Sequence, residues 1–275
     1  MKKKILKVLA FITAMALIAV FAVFADGLIG NPVSRFLARR DAVSYIAEKY
    51  PGTDYEIEKV TYDFKSGGYH VGVISPSSAD SHFNLSYDRL GRLKYDNYNE
   101  YVAGRLNVQS RLEREYRELT DRVFDSPFFP YDCDIKFGTL SIYPKAEIKN
   151  GDDPDEPSVV MPVEALVLDK VYDIRELGEK YGKLVVYANS DTVTVEKAAE
   201  IMLGIKEAFL DAGVPFRAID FTLQHPKDPE KGWIEGEVYV SGFLIEDIYA
   251  EGMTERVRTA YDELKAYYDS QDSKQ

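Results

Sequence analysis

The sequence predicts an α+β protein carried behind an N-terminal transmembrane helix. Three observations lead there: an uncharged apolar run from Val8 to Ala25, several segments with apolar residues at helical spacing, and short intervening runs whose apolar residues alternate and pair as antiparallel hairpins. These elements fall into two groups. The expected division is 1–25 for an anchor or uncleaved signal, 31–100 for a helix-plus-three-strand meander, 101–124 for a connector helix, and 125–275 for a second α+β module with a mostly antiparallel sheet.

In "MKKKILKVLAFITAMALIAVFAVFADG", Thr13 is the one polar side chain between Val8 and Ala25, and Lys7 can snorkel to the headgroups. At about 1.5 Å per helical residue, residues 5–25 can span a hydrocarbon core of roughly 30 Å. A cleavable signal needs only about 7–15 apolar residues, so the length favours a retained anchor over cleavage after Val23-Phe24-Ala25. Lys2, Lys3, Lys4 and Lys7 precede the run, and Arg35, Arg39 and Arg40 follow it. That balance places the N-terminus in the cytoplasm and the bulk of the chain outside, at the cell membrane.

"NPVSRFLARRDAVSYIAEKYPG" reads as a helix capped by Asn31, with Pro32 in its first turn and Pro51-Gly52 at its end. Phe36, Val43, Ile46 and Tyr50 are expected to form its buried face. "DYEIEKVTYDF" alternates with a change of phase near Glu58-Lys59, which predicts a bulge. "YHVGVIS" and "HFNLSYD" flank the turn "PSSAD". Pairing Ser75 with Ser81 sets Tyr69, Val71 and Val73 opposite Tyr87, Leu85 and Phe83, an all-apolar face.

The series from "NPVSRFLARR" through "HFNLSYDRLGRL", directly behind one hydrophobic segment, resembles the uncharacterised YfjL-like membrane-anchored proteins of Gram-positive bacteria. The resemblance is best over residues 1–100, and the helix-plus-three-strand order is also similar in topology to PepSY-type modules. It implies a membrane-anchored protein and brings no catalytic residues.

Val102, Gln109, Leu112, Tyr116, Leu119 and Val123 predict the connector helix, stopped at "DSPFFP". The second half then reads as strand "DIKFGTLSIY", acidic loop, short helix "DIRELGEKYG", strand "KLVVYA", helix "TVEKAAEIMLGIKEAFLDAG", hairpin and final helix. In the hairpin, pairing Leu223 with Ile234 makes an apolar face and sets Asp220 opposite Glu237 and Thr222 opposite Glu235.

Composition narrows the function. The net charge is −12, while all charges in the first 25 residues are positive, so the remainder is more acidic still and carries no basic stripe for nucleic acid. The single cysteine, Cys133, forms neither an internal disulfide nor a multi-cysteine zinc site. It suits an envelope that does not rely on disulfides, such as that of many Gram-positive bacteria.

No catalytic, cofactor or metal residue is assigned. His70 and His82 project from one sheet face about 13 Å apart at roughly 3.3 Å per residue, too far to share an ion. His225 stands apart from both in sequence. "NGDDPDEP" lacks the ligand spacing of a calcium loop. The candidate polar cluster is Asp220, Glu235 and Glu237, because opposed carboxylates imply a neighbouring cation or a raised pKa, and Lys136 is a possible neutralising partner. Tyr87, Tyr95, Tyr98 and Tyr101, interleaved with Asp96, Asn97 and Asn99, suit peptide or sugar contacts, or else cover the seam beside the connector helix. The expected function is non-enzymatic binding of an envelope protein or peptide. The alternative is a cell-surface hydrolase acting on wall glycan or peptide through the paired carboxylates, and a plain spacer is the third reading.

Overall fold

A computed structural model describes residues 2–148, 159–227, 232 and 236–272. The chain divides into two compact units, Met1–Asn107 and Val108–Gln275.

The first unit begins with α1 (Lys2–Ile29), a helix long and apolar enough to cross a membrane. It ends at Gly30, whose φ of +71° is in the left-handed region and whose N–H returns to the Asp26 carbonyl at 3.0 Å. Asn31 is extended and caps α2 (Pro32–Lys49), its side chain accepting from the Ser34 N–H at 2.8 Å. Asp26 holds this joint against the sheet. One of its carboxylate oxygens accepts from Asn31 Nδ2 at 2.6 Å and the other from Arg89 Nη1 at 2.9 Å. Tyr62 donates to the Gly27 carbonyl, and Tyr69 receives the Asn31 N–H.

Antiparallel strands β1 (Glu56–Asp63), β2 (Gly68–Ser75), β3 (Ser78–Tyr87) and β4 (Leu93–Asp96) form a sheet in sequence order. Tyr69, Val71 and Val73 lie opposite Tyr87, Leu85 and Phe83, and β1 shifts register between Ile57 and Lys59, as the alternation requires. Three features depart from expectation. The β2–β3 turn is tighter, with Ser75 opposite Ser78. A fourth strand follows β3, because Asp88 accepts from the Leu90 and Arg92 N–H groups and Gly91 takes φ +75°, which closes a hairpin. Finally, α2 buries Ser34, Ala38, Ala42 and Ile46, and leaves Phe36 and Val43 in solvent. Its small side chains let the helix approach a sheet surface already filled by Tyr69, Phe83 and Tyr87.

A short π-helical turn at Asn99–Ala103 leads to α3 (Leu106–Phe124). From Val108 onward this helix is part of the second unit. Val108, Leu112 and Tyr116 join a core with Leu140, Ile142, Val163 and Leu177.

The second unit continues with β5 (Cys133–Leu140), β6 (Ile142–Tyr143), β7 (Met161–Pro162), α4 (Ile174–Tyr181), β8 (Gly182–Asn189), α5 (Val195–Asp211), β9 (Ala218–Gln224), β10 (Glu237–Leu244) and α6 (Met253–Asp272). Its main sheet runs β10-β9-β8-β5 and is mixed. The β8–β9 pair is parallel because α5 carries the chain across as a crossover, whereas the outer pairs are antiparallel. α5 buries Val195, Ala198, Ala199, Met202, Ile205 and Phe209, the face its spacing predicts.

The second hairpin has a different register from the expected one. Val238 faces Leu223, Tyr239 faces Thr222 and Glu237 faces Gln224. The shift is four residues, an even number, so the apolar residues keep their face while the opposed carboxylates are separated.

Candidate functional site

Among the described residues β10 is an end strand, with β9 on one side only. Between Val240 and Phe243 its register slips by one residue, a bulge made at Ser241-Gly242, where Gly242 takes φ +59°. Asp220 on β9 holds that bulge. Its Oδ1 accepts from the Gly242 N–H at 2.8 Å and from Ser241 Oγ at 3.3 Å, while Oδ2 pairs with Lys183 Nζ on β8 at 2.7 Å. Both members of the pair are largely buried, with side-chain exposures of 13% for Lys183 and 16% for Asp220.

The bulge forms part of an open groove of about 560 Å³ between β10 and α6, lined by Phe243 and Leu244 on the strand and Thr259 and Ala260 on the helix. Asp247, Glu255 and Glu263 bring three carboxylates to its walls. Arg256 also lines it, but its guanidinium is committed to three backbone carbonyls, those of Asp247 at 2.8 Å, Glu251 at 2.7 Å and Tyr249 at 2.5 Å, and lies 3.5 Å over the Tyr249 ring. The groove therefore combines an end strand, an apolar floor and an acidic rim. Such a surface accepts an extended segment through main-chain hydrogen bonds and favours positive side chains.

Of the polar cluster read from sequence, Asp220 reaches this groove from behind, Glu237 lies at the far end of β10 opposite Gln224, and Glu235 lies outside the described residues. Lys183, not Lys136, answers Asp220. Lys136 donates to the Phe124 carbonyl at 2.6 Å and pairs with Asp125 at 3.3 Å. His70 faces Ser86, with Nδ1 and Oγ 2.9 Å apart, and His82 faces Ile74. Among the described residues no three His, Cys, Asp or Glu side chains converge as metal ligands. The segment "NGDDPDEP" lies outside the described residues.

The tyrosine-rich stretch divides. Tyr87 is fully buried, and Tyr95 is half exposed and bonds Glu100. Tyr98 stacks in a ring cluster with Tyr50, Tyr55 and Phe83, its centroid 4.6 Å from that of Tyr50. Asp96 fastens β4 to α2 by accepting from the hydroxyls of Tyr45 at 2.8 Å and Tyr50 at 2.5 Å. Burial, followed by the Asp96 carboxylate, pushes the Tyr45 hydroxyl up to about 12, and the same causes raise Tyr50. These rings cover the seam between α2 and the sheet.

Models of the YfjL-like N-terminal and C-terminal domains match residues 2–97 and 115–258. The chain belongs to the YfjL-like family. A crystal structure of a DUF5037 family protein from Ruminococcus gnavus aligns over 80% of this chain and 98% of its own, at 14% identity and a TM-score of 0.22. No curated protein matches the chain.

Sequence reasoning missed Lys183 and the groove carboxylates. Lys183 had a signal, a lone charge on the alternate face of an apolar strand, in phase with Val185 and Tyr187. The groove had none, because it arises from a bulge and a helix far apart in sequence.

Proposed function

We propose that the chain is a single-pass membrane protein, anchored by α1 with its N-terminus in the cytoplasm, whose second unit binds an extended basic segment of an envelope protein or peptide along β10. The observation that supports this reading most directly is the acidic groove running beside an end strand. The alternative hydrolase needs two carboxyl groups flanking the scissile bond, one to protonate the leaving oxygen and one to act as nucleophile or base, and Asp220 is instead engaged by Lys183 and the bulge N–H.

The test uses the full chain in bilayer discs and a fluorescent peptide of alternating Lys and Val, with a Glu-and-Val counterpart. The Lys peptide should bind, lose affinity as salt rises, and slow amide exchange in Glu237–Leu244. Changing Asp247→Asn, Glu255→Gln and Glu263→Gln together should weaken it about tenfold, since exposed charge pairs contribute roughly 0.2–1 kcal/mol each. Equal binding of the Glu peptide, or protection elsewhere than β10, would rule the reading out.

A further inference from the structure

The outward face of α2 is apolar where a soluble helix would be polar. Val33 is 68% exposed, Phe36 62% and Val43 56%. At about 100° per residue these three share one face with Ala47, opposite Ser34, Ala38 and Ala42, which pack on the sheet. Arg40 lies among them and Arg39 at their border, whereas Arg35, a turn before Arg39, projects from the side of Ala42 and Ile46 and is exposed. None of the three guanidinium groups has an ion-pair partner among the described residues. In so acidic a chain, unpaired arginines mixed with an exposed ring and two exposed valines fit an anionic bilayer surface, where apolar groups enter the headgroup boundary and guanidinium groups meet phosphates.

The chain's own geometry supplies that surface. Leu28 and Ile29, both exposed, end α1, and only Gly30 and Asn31 separate them from α2. The Asp26–Arg89 pair and the Tyr62–Gly27 bond keep this joint closed, and α2 starts two residues after α1 ends. We propose that α2 is an interfacial helix, lying on the headgroups of an anionic membrane through Val33, Phe36, Val43 and the flanking arginines, with the four-stranded sheet on its far side. This rests on α1 being a membrane anchor.

The full chain, carrying Cys133→Ser, is reconstituted in bilayer discs of zwitterionic lipid with and without phosphatidylglycerol, and spin labels are placed singly through Phe36→Cys, Val20→Cys or Lys59→Cys. Collision with lipid-soluble oxygen against a water-soluble nickel complex reads depth. The expected result is a deep Val20 label, an aqueous Lys59 label, and a Phe36 label at headgroup depth whose oxygen-to-nickel ratio exceeds that of Lys59 severalfold. The Phe36 ratio should rise with phosphatidylglycerol and fall when Arg39→Gln and Arg40→Gln are added. A deep Val20 label with Phe36 as aqueous as Lys59 overturns the proposal and leaves the anchor standing. An aqueous Val20 label overturns both. Spin–spin broadening between Phe36 labels, which would mean that a second copy covers this face, also overturns it.

Discussion

Asp220 shows how one side chain's role follows from its neighbours. A carboxylate at 16% exposure is unfavourable alone, and Lys183, the bulge N–H and Ser241 together satisfy it. Asp220→Asn should therefore cost about 1–3 kcal/mol in urea unfolding, because it leaves a largely buried ammonium without its counter-charge. Combining Lys183→Met with Asp220→Leu should recover part of that loss, and a double change as costly as the two single ones added would contradict the pairing. The tyrosines around Asp96 make a second prediction. Burial holds the hydroxyls of Tyr45 and Tyr55 up to about 12, against 10.0 for free tyrosine. The unfolded chain thus loses these protons first, so this contribution to stability is complete below pH 10 and lost between about 10 and 12. Alkaline unfolding followed by tyrosinate absorbance should show ionisation coincident with loss of the fold, and Asp96→Asn should move ionisation to lower pH. Asp220 was visible in the sequence as a residue needing a cation, but not which cation, because strand order, set by the α5 crossover, decides which lysine lies beside it.

At the scale of elements, alternation, capping and the face of α5 were read well, and the face of α2 was not. The β2–β3 register and the β1 bulge followed from the rule that apolar residues share a face, since only one pairing buries all of them. The same rule cannot fix the β9–β10 register, where pairings two or four residues apart keep the apolar face intact. For α2, Phe36 and Val43 were expected inside with Ile46; Ile46 is buried as expected, but the helix packs otherwise through Ser34, Ala38 and Ala42. Ile46→Ala, at a site 7% exposed, should cost about 2–4 kcal/mol. Phe36→Ser should change stability by no more than about 0.5 kcal/mol. Thermal or urea unfolding of the two variants in detergent checks this, and the reverse order would mean that the helix is turned over. β4 escaped notice because four residues with two charges and one tyrosine carry almost no periodicity, and its hairpin depends on Asp88 and Gly91.

For the molecule as a whole, four lysines ahead of the apolar run against three arginines soon after it predict a cytoplasmic N-terminus with the bulk of the chain outside. In intact cells an impermeant amine reagent should modify Lys59, Lys94 and Lys180, whose side chains are all more than half exposed, and spare Lys2, Lys3 and Lys4 until the cells are permeabilised. Mass spectrometry reads both sets, and the opposite pattern would reverse the topology. The joint after α1 has a mechanical meaning as well. Gly30 alone would act as a swivel, but Tyr62 on β1, Tyr69 on β2 and Arg89 after β3 each grip the backbone or side chains of residues 26–31. A twist of α1 about its axis is therefore resisted at β1, at β2 and in the turn after β3, where a free tether would turn without moving the sheet.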